Sequence, residues 1–379
     1  MDDFHSELES LRESQLYRSL NTYRREGLKL TIDEGTILRD FSSNDYLGLS
    51  FHPKLKEAGI EAIRRAGVGA TSSRLISGTS TDHSSAEETI ATLKKSESAL
   101  LFSAGFMASM SAIPSVVGKD DTIILDKLSH ACLIDAARAS GARIRVFPHN
   151  NLNRLEKILK SERANSKKNI LIIVESVYSM DGDLSPLNKI VSLKQEYGAL
   201  LLVDEAHALG IRGPKGMGLT EELGLEKEVD LQLGTLGKAA GGAGGYIACS
   251  ALLKELIINK GRGFIFTTAP PPHQAAIAKE ALTLIASEEG SQLRDRLQNY
   301  RQIAGNLESA IFPVILGKND VALSASKELL AKGFLIPAIR YPTVPKNSAR
   351  LRITLSAAHQ ENDLRKLLEI LESLTSVKI

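Results

Sequence analysis

The chain has 379 residues, a length that predicts two or three domains. Its 47 basic and 45 acidic side chains nearly cancel, so the composition does not indicate nucleic acid or another polyanion as a partner. The two cysteines, Cys132 and Cys249, form no C-x-x-C pattern, which favours a reducing compartment and argues against a metal site. The first residues lack the features of a signal peptide and no apolar run approaches membrane length, so we expect a cytoplasmic protein without membrane contact.

The N-terminal part of the chain predicts an arm. Residues 3–25 are rich in charge and carry apolar residues, from Leu8 to Leu20, at helical spacing, which predicts one amphipathic helix. A turn-rich segment follows at residues 41–48. We therefore assign residues 1–47 to an N-terminal helix and arm.

From about residue 99, short apolar runs alternate with helical patterns. This alternation predicts a mainly parallel sheet covered by helices on both faces. Three prolines at 270–272 then interrupt the chain, and a helical pattern and an α+β segment follow them. We expect a large α/β domain over residues 48–280 and a small α+β domain over residues 281–379. The candidate strands are residues 99–102, 122–125, 143–147, 170–174, 200–203 and 231–233.

Polar and glycine residues follow several of these strands. In sheets of this kind, ligands bind beyond the carboxyl ends of the strands. These ends carry Gly105, residues 175–179, residues 204–207 and residues 235–238. The sequence therefore predicts one binding site along this edge of the sheet.

Lys238 lies in a glycine-rich tract, downstream of an apolar run that ends in Asp204 and is followed by His207. Pyridoxal phosphate needs an amine to hold its aldehyde as a Schiff base and an anion to keep its ring nitrogen protonated. A buried aspartate also needs a positive partner. The pattern favours a pyridoxal phosphate site.

Two other interpretations compete with this one. A lysine flanked by glycines is most often a surface loop residue. The segment at residues 202–207 also resembles the magnesium-binding box of a DEAH-type helicase, but such an enzyme requires G-x-x-x-x-G-K-[ST] upstream. The chain has Gln232 in place of the first glycine and Ala239 in place of Ser/Thr, so this alternative is rejected.

Other segments could serve the same site. Residues 102–107 predict a strand, a turn and a helix start, where free amides suit a phosphate and Gly105 permits close approach. His130 precedes a predicted helix, and its ordinary role would be to cap that helix or to lie exposed. Thr235 could reach a phosphate with its hydroxyl group, or could cap a helix instead. Residues 175–183 carry more polar groups than a simple turn needs.

The order of these motifs along nearly the whole chain resembles the α-oxoamine synthase family of fold-type-I pyridoxal phosphate enzymes. The matching segments are residues 41–50, 126–130, 179–183, 204–207, 235–238 and 340–345. The resemblance implies a fold-type-I transferase with a mainly parallel seven-stranded sheet between helices. It also implies a homodimer with sites at the subunit interface.

The resemblance further implies roles for single residues. Lys238 corresponds to the Schiff-base lysine, Asp204 to the partner of the ring nitrogen, and His207 to the group near the phenolic oxygen of pyridoxal 5'-phosphate. His130 corresponds to the imidazole stacked on the ring. The remaining cofactor contacts correspond to Gly105, Phe106, Ser179 and Thr235, and the substrate contacts to Arg18, His130, Thr343 and Arg352. Arg352 matches a clamp for the carboxylate of the amino acid, a role that suits a bidentate guanidinium.

The implied activity is an acyl transfer with loss of carbon dioxide. Within the family, the pattern is most similar to the members that condense L-alanine with a pimeloyl thioester, of coenzyme A or of an acyl carrier protein, in biotin biosynthesis. The lysine loop is equally similar to relatives that use glycine, among them 2-amino-3-ketobutyrate CoA ligase, which uses acetyl-CoA. That alternative stays open from the sequence alone.

Overall fold

The computed structural model describes residues 2–32, 35–165 and 168–375, and these form two compact units. Unit 1 consists of the described residues up to Gly48, Met180–Gly182, and those from Arg296 onward. Unit 2 consists of the described residues of Leu49–Ser179 and Asp183–Asp295. The N-terminal arm and the C-terminal region, which are far apart in sequence, thus belong to one unit.

Strands and helices alternate through the part of the chain that contains the predicted sheet. The described strands are β1 Arg24–Glu26, β2 Lys29–Ile32, β3 Thr36–Asp40, β4 Ser98–Phe102, β5 Thr122–Asp126, β6 Arg143–Phe147, β7 Ile170–Glu175, β8 Leu200–Asp204, β9 Leu231–Thr235, β10 Gly245–Cys249, β11 Ile311–Gly317, β12 Phe334–Leu335, β13 Ala338–Ile339 and β14 Ala349–Thr354. The described α-helices are α1 Asp2–Glu13, α2 Pro53–Ala66, α3 Thr81–Leu93, α4 Gly105–Val116, α5 Ala131–Ser140, α6 Leu152–Asn165, α7 Leu187–Tyr197, α8 Leu219–Glu222, α9 Ala251–Lys260, α10 Arg262–Ile265, α11 Pro272–Ile285, α12 Glu288–Ile303, α13 Asn319–Ala331 and α14 Glu361–Thr375.

A seven-stranded sheet in the order β4-β10-β9-β8-β7-β5-β6 forms the centre of unit 2. All neighbouring strands pair in parallel except β10, which is antiparallel to β4 and β9. Every residue of β5 and β7 is buried, as expected for strands covered on both faces. The predicted mainly parallel, seven-stranded α/β fold is confirmed, and each of the six candidate strands corresponds to a strand.

Strand β10 was not among the six candidates. It follows a run of glycines, which disfavours a strand prediction. The structure explains the glycine at its first residue: a Cβ at Gly245 would lie 2.5 Å from the backbone nitrogen of Gly105. The missing side chain lets β10 approach the start of α4.

Unit 1 contains two smaller sheets. Strands β1, β2 and β3 are antiparallel, and β12 pairs with β3 in parallel. Strand β14 lies between β11 and β13, antiparallel to both. Helix α14 buries Leu364, Leu367 and Leu371, which are spaced for one helical face.

The prediction of one helix over residues 3–25 was too long. Helix α1 ends at Glu13, and Gln15 adopts a left-handed backbone conformation with φ of 58°. The amides of Leu16 and Tyr17 both turn back to the carbonyl oxygen of Leu11. This local turn ends the helix, although the apolar spacing continues to Leu20. Across the described residues, we find no helix that is long and apolar enough to cross a membrane.

Candidate active site

A cavity of about 150 Å³ lies at the carboxyl ends of the parallel strands in unit 2. Seven of the predicted site residues line it together. The lining residues are Gly105, Phe106, His130, Cys132, Glu175, Asp204, Ala206, His207, Leu233, Thr235 and Lys238. Ser179 is not among them, and its backbone hydrogen bonds to the carboxyl group of the lining residue Glu175.

Lys238 extends from the loop after β9. Its Nζ lies 2.7 Å from Nε2 of His207, which is buried. The loop is closed by hydrogen bonds from the amide of Leu236 to the carbonyl oxygen of Gly244 and from the amide of Gly242 to that of Leu236. Gly241 has φ of 65°, and a Cβ there would lie 2.4 Å from the amide nitrogen of Ser50. Only glycine fits at this position. The close packing of the loop there fixes the position of Lys238 in the cavity wall.

Asp204 ends β8 with a side chain that is only 5% exposed. Its Oδ1 accepts the amide proton of Ala206 at 2.9 Å. Burial raises the pKa of Asp204 to about 6, against the lowering effects of the Lys238 charge and the Ala206 amide. A carboxyl group placed this way ionises fully only beside a positive group, so it suits a protonated ring nitrogen.

Helix α4 begins at Gly105, as predicted, on the same side of the cavity as Thr235. The residue before the helix, Ala104, has no side chain that could satisfy the first amides. A Cβ at Gly105 would lie 3.5 Å from the Thr235 Cβ, so the helix start and this hydroxyl-bearing side chain are neighbours. Unsatisfied amides at a helix N-terminus are a favourable place for a phosphate group. Together with Lys238 and Asp204, they fit the three polar parts of pyridoxal phosphate.

His130 caps helix α5 and also lines the cavity. Its Nδ1 accepts the amide proton of Cys132, and its own amide donates to Oε1 of Glu175 at 2.6 Å. Burial and the charge of Lys238 lower the pKa of His130, which favours a neutral ring. Helix capping, the ordinary role considered above, and a place in the site are therefore compatible.

Sequence reasoning placed Glu175 at the binding edge of the sheet without a role of its own, and it missed Cys132 as a member of the site. Burial and the nearby Asp204 raise the pKa of Glu175 well above its usual range, while the charge of Lys238 and the amides of His130 and Ser179 act in the opposite direction. The signal for Glu175 was its place at the end of a fully apolar run. Cys132 carried no signal, because its contact with His130 depends on the first turn of α5.

Three of the four predicted substrate residues lie in unit 1, whereas His130 lines the cavity of unit 2. Arg18 and Thr343 line a second cavity of about 100 Å³ together with Arg340 and Tyr341. Arg352, on β14, is 6% exposed, and both its Nη1 and Nη2 lie 3.2 Å from Oδ1 of Asn44. The structure thus brings Arg18 and Thr343 together and gives Arg352 a separate, amide-bound position.

The arginines of this second cavity have no acidic partner in the part of the chain that the structure describes. Within the described residues, neither Arg18 nor Arg340 forms a salt bridge. Burial and the positive charge of Arg18 lower the pKa of Arg340. Two guanidinium groups that repel each other in one cleft form a favourable place for an anion.

Comparisons with known proteins show the family of this chain. The sequence matches the family described as aminotransferase class I and II over residues 36–371. The chain belongs to this family. The similar 8-amino-7-oxononanoate synthase of Geobacter sulfurreducens is 44% identical over 95% of this chain and 94% of its own length. The resemblance drawn from the motifs and the fold-type-I architecture are both confirmed.

Two solved structures are also similar. Serine palmitoyltransferase from S. paucimobilis with a bound PLP–myriocin aldimine has a TM-score of 0.89 and 29% identity, over 98% of this chain and 96% of that chain. The 8-amino-7-oxononanoate synthase from Francisella tularensis has a TM-score of 0.75 and 27% identity, over 89% of this chain and 97% of that chain.

Proposed function

We propose that this chain is a pyridoxal 5'-phosphate-dependent acyltransferase that catalyses the 8-amino-7-oxononanoate synthase reaction of biotin biosynthesis. In that reaction L-alanine condenses with a pimeloyl thioester and carbon dioxide is lost. The observation that carries the proposal is a single cavity with a lysine amine, a buried aspartate and the free amides of a helix start. Curated relatives at 38% to 44% identity bear the same enzyme name.

The residues of the cavity divide the work of holding the cofactor. Lys238 would hold the aldehyde carbon, Asp204 would keep the ring nitrogen protonated, and the start of α4 would bind the phosphate. When bound, pyridoxal phosphate supplies an electron sink for the α-carbon of an amino acid.

Lys238 then has a second task. With the cofactor and alanine bound, the Lys238 amine would remove the α-proton of the amino acid as a general base. The 2.7 Å contact to Nε2 of His207 keeps the amine oriented in the cavity wall. The buried position of Asp204 strengthens its interaction with a cation, because the local dielectric is low.

The arginine pair in unit 1 supports a dicarboxylic acyl group. A pimeloyl thioester carries a free carboxylate at its far end, whereas acetyl and palmitoyl groups carry none. Arg18 and Arg340 lack acidic partners among the described residues and share a cleft with the Thr343 hydroxyl. We assign this cleft to the distal carboxylate, and Arg352 to the carboxylate of the amino acid.

Exposed apolar side chains support a homodimer. Leu75 and Ile76 are 49% and 81% exposed, and Phe266 is 70% exposed. Their segments are neighbours, since Ser73 forms a β-bridge with Thr268. Exposed apolar side chains on neighbouring segments are typical of protein–protein interfaces. The free, buried cysteines Cys132 and Cys249 further support a reducing, cytoplasmic location.

A competition assay tests the proposal. Pimeloyl, acetyl and succinyl thioesters are offered at equal concentration with L-alanine, and the products are separated. We expect the pimeloyl product to dominate, and glycine to be used about 10- to 200-fold less well than alanine, because one methyl group separates the two. A clear preference for acetyl or succinyl would instead identify a relative such as the ketobutyrate ligase.

The arginine variant Arg18→Met sharpens this test. It should lower kcat/KM for the pimeloyl thioester about 10- to 100-fold, the effect of one charge-assisted hydrogen bond, and leave the monomethyl ester of the same thioester nearly unaffected. Arg24→Met is the matched control, because that side chain is 81% exposed on β1. Equal losses for the acid and the ester would contradict the carboxylate assignment.

A further inference from the structure

Two groups of Cys132 meet one ring nitrogen of His130. The Cys132 amide nitrogen lies 3.3 Å from Nδ1, and the Cys132 Sγ lies 3.0 Å from the same atom. No such pair of groups contacts the other ring nitrogen among the described hydrogen bonds. Both of these described contacts lie on the Nδ1 side of the ring.

These contacts determine where the proton of the neutral ring sits. A backbone amide can only donate, so Nδ1 must accept and cannot carry a proton itself. In the neutral imidazole the proton is then on Nε2. The S–H group of Cys132 is a weak donor, and it donates to the same accepting Nδ1 atom.

The thiol remains protonated under working conditions. Burial and the nearby charge of Asp204 raise the pKa of Cys132 to about 12. Cys132 is held in place by Ser109, whose hydroxyl donates to the Cys132 carbonyl oxygen at 3.2 Å and to that of Phe106 at 2.8 Å. The backbone of His130 is fixed separately by Glu175, at 2.6 Å.

We propose that Cys132 is a positioning residue for His130. Its thiol and amide hold the ring neutral with the proton on Nε2, so that His130 offers the cavity a hydrogen-bond donor and not a base. The consequence for catalysis, though not the tautomer itself, rests on the proposed function. Nε2–H can donate to a carboxylate or carbonyl oxygen of a bound substrate without first taking up a proton.

The charges around the ring are consistent with this state. The titratable groups that line the cavity with His130 are Cys132 on α5, Glu175 at the end of β7, Asp204 at the end of β8, His207 after β8, and Lys238 after β9. Of these, the Lys238 charge acts on the ring, where it adds to burial in lowering the pKa of His130.

The test compares three variants of the full-length holoenzyme without substrate. Cys132→Ala removes the thiol donor, Cys132→Ser keeps a hydroxyl donor, and Cys249→Ala removes the other buried thiol, which does not line this cavity. Nitrogen NMR of labelled histidine reports the tautomer and the pKa of each ring, and the spectrum of His130→Asn identifies the signal of His130.

We expect the Nε2–H tautomer in the unsubstituted protein. In Cys132→Ala the protonated fraction of His130 at a given pH should rise about 2- to 10-fold, the worth of one neutral hydrogen bond, and the acidic limb of the kcat/KM profile should shift to higher pH. Cys132→Ser and Cys249→Ala should match the unsubstituted protein.

Three results would overturn the proposal. They are an Nδ1–H tautomer in the unsubstituted protein, a lower His130 pKa in Cys132→Ala, and a serine variant that behaves like the alanine variant. The tautomer is read without substrate, so it holds or fails independently of the condensation reaction. If the tautomer is the expected one but the protein has no activity with the pimeloyl thioester, the proposed function is refuted and the role of Cys132 is not.

Discussion

Replacing Asp204 with asparagine tests the centre of the proposed mechanism. Asparagine has nearly the same shape and can still accept the Ala206 amide proton, which Asp204 binds at 2.9 Å. It cannot carry the negative charge that would keep a ring nitrogen protonated. We therefore expect Asp204→Asn to keep the cofactor bound and to lose most of its ability to remove the α-proton of alanine.

The size of the effect follows from burial. Asp204 is 5% exposed, and removing one member of a buried charge pair costs about 3–5 kcal/mol. If that loss falls on proton removal, the rate drops about 200- to 5000-fold. Exchange of the alanine α-proton in deuterated water measures this step without the acyl substrate, and the visible absorbance of the protein reports bound cofactor.

Glu205 supplies the matched control. It follows Asp204 in sequence and is fully buried, but its carboxylate accepts the amides of Leu219 and Thr220 at 3.0 Å and 2.8 Å and does not line the cavity. Glu205→Gln should lower the free energy of unfolding and slow α-proton exchange less than about 10-fold. Near-normal exchange in Asp204→Asn, or equal losses in both variants, would show that the role of Asp204 is misassigned.

Three further predictions concern the lysine, a histidine and the assembly. Lys238→Ala should abolish turnover in a folded protein, because no other cavity residue supplies an amine; retained activity together with an imine reducible by borohydride would contradict this. His149 is partly buried, which lowers its pKa, but hydrogen bonds to Asp126 and Asp183 prevail and raise it to about 10. The stabilising contribution of the His149 charge should be fully present below about pH 6.5 and should be lost as the pH rises through 10. His149→Gln should therefore lower the free energy of unfolding by about 2 kcal/mol at neutral pH and by much less above pH 10. Chemical denaturation at both pH values measures this difference, and an equal loss at both would refute the charged state of His149. Light scattering should give the mass of a dimer, and an active monomer would count against the interface proposal.

Much of the sheet could be read from the sequence because its strands are buried on both faces. Such strands appear as continuous apolar runs, and all six candidates correspond to observed strands. Strand β10 was not predicted because it begins with a glycine, which the close approach to Gly105 requires. The N-terminal helix was overextended because apolar spacing alone does not reveal the left-handed turn at Gln15.

The sequence alone also determined which residues could carry the chemistry. A lysine in a glycine-rich loop can form a Schiff base, and an aspartate after an apolar run can keep a ring nitrogen protonated. Only the tertiary structure decided how these residues meet. Asp204 pairs with Leu233 of β9 and with Glu175 of β7, so parallel pairing brings distant segments to one edge. The contact of Cys132 with His130 and the hydrogen bond from the His130 amide to Glu175 are likewise set by the order of strands and the first turn of α5. Strand order depends on long-range pairing, which local sequence patterns do not encode.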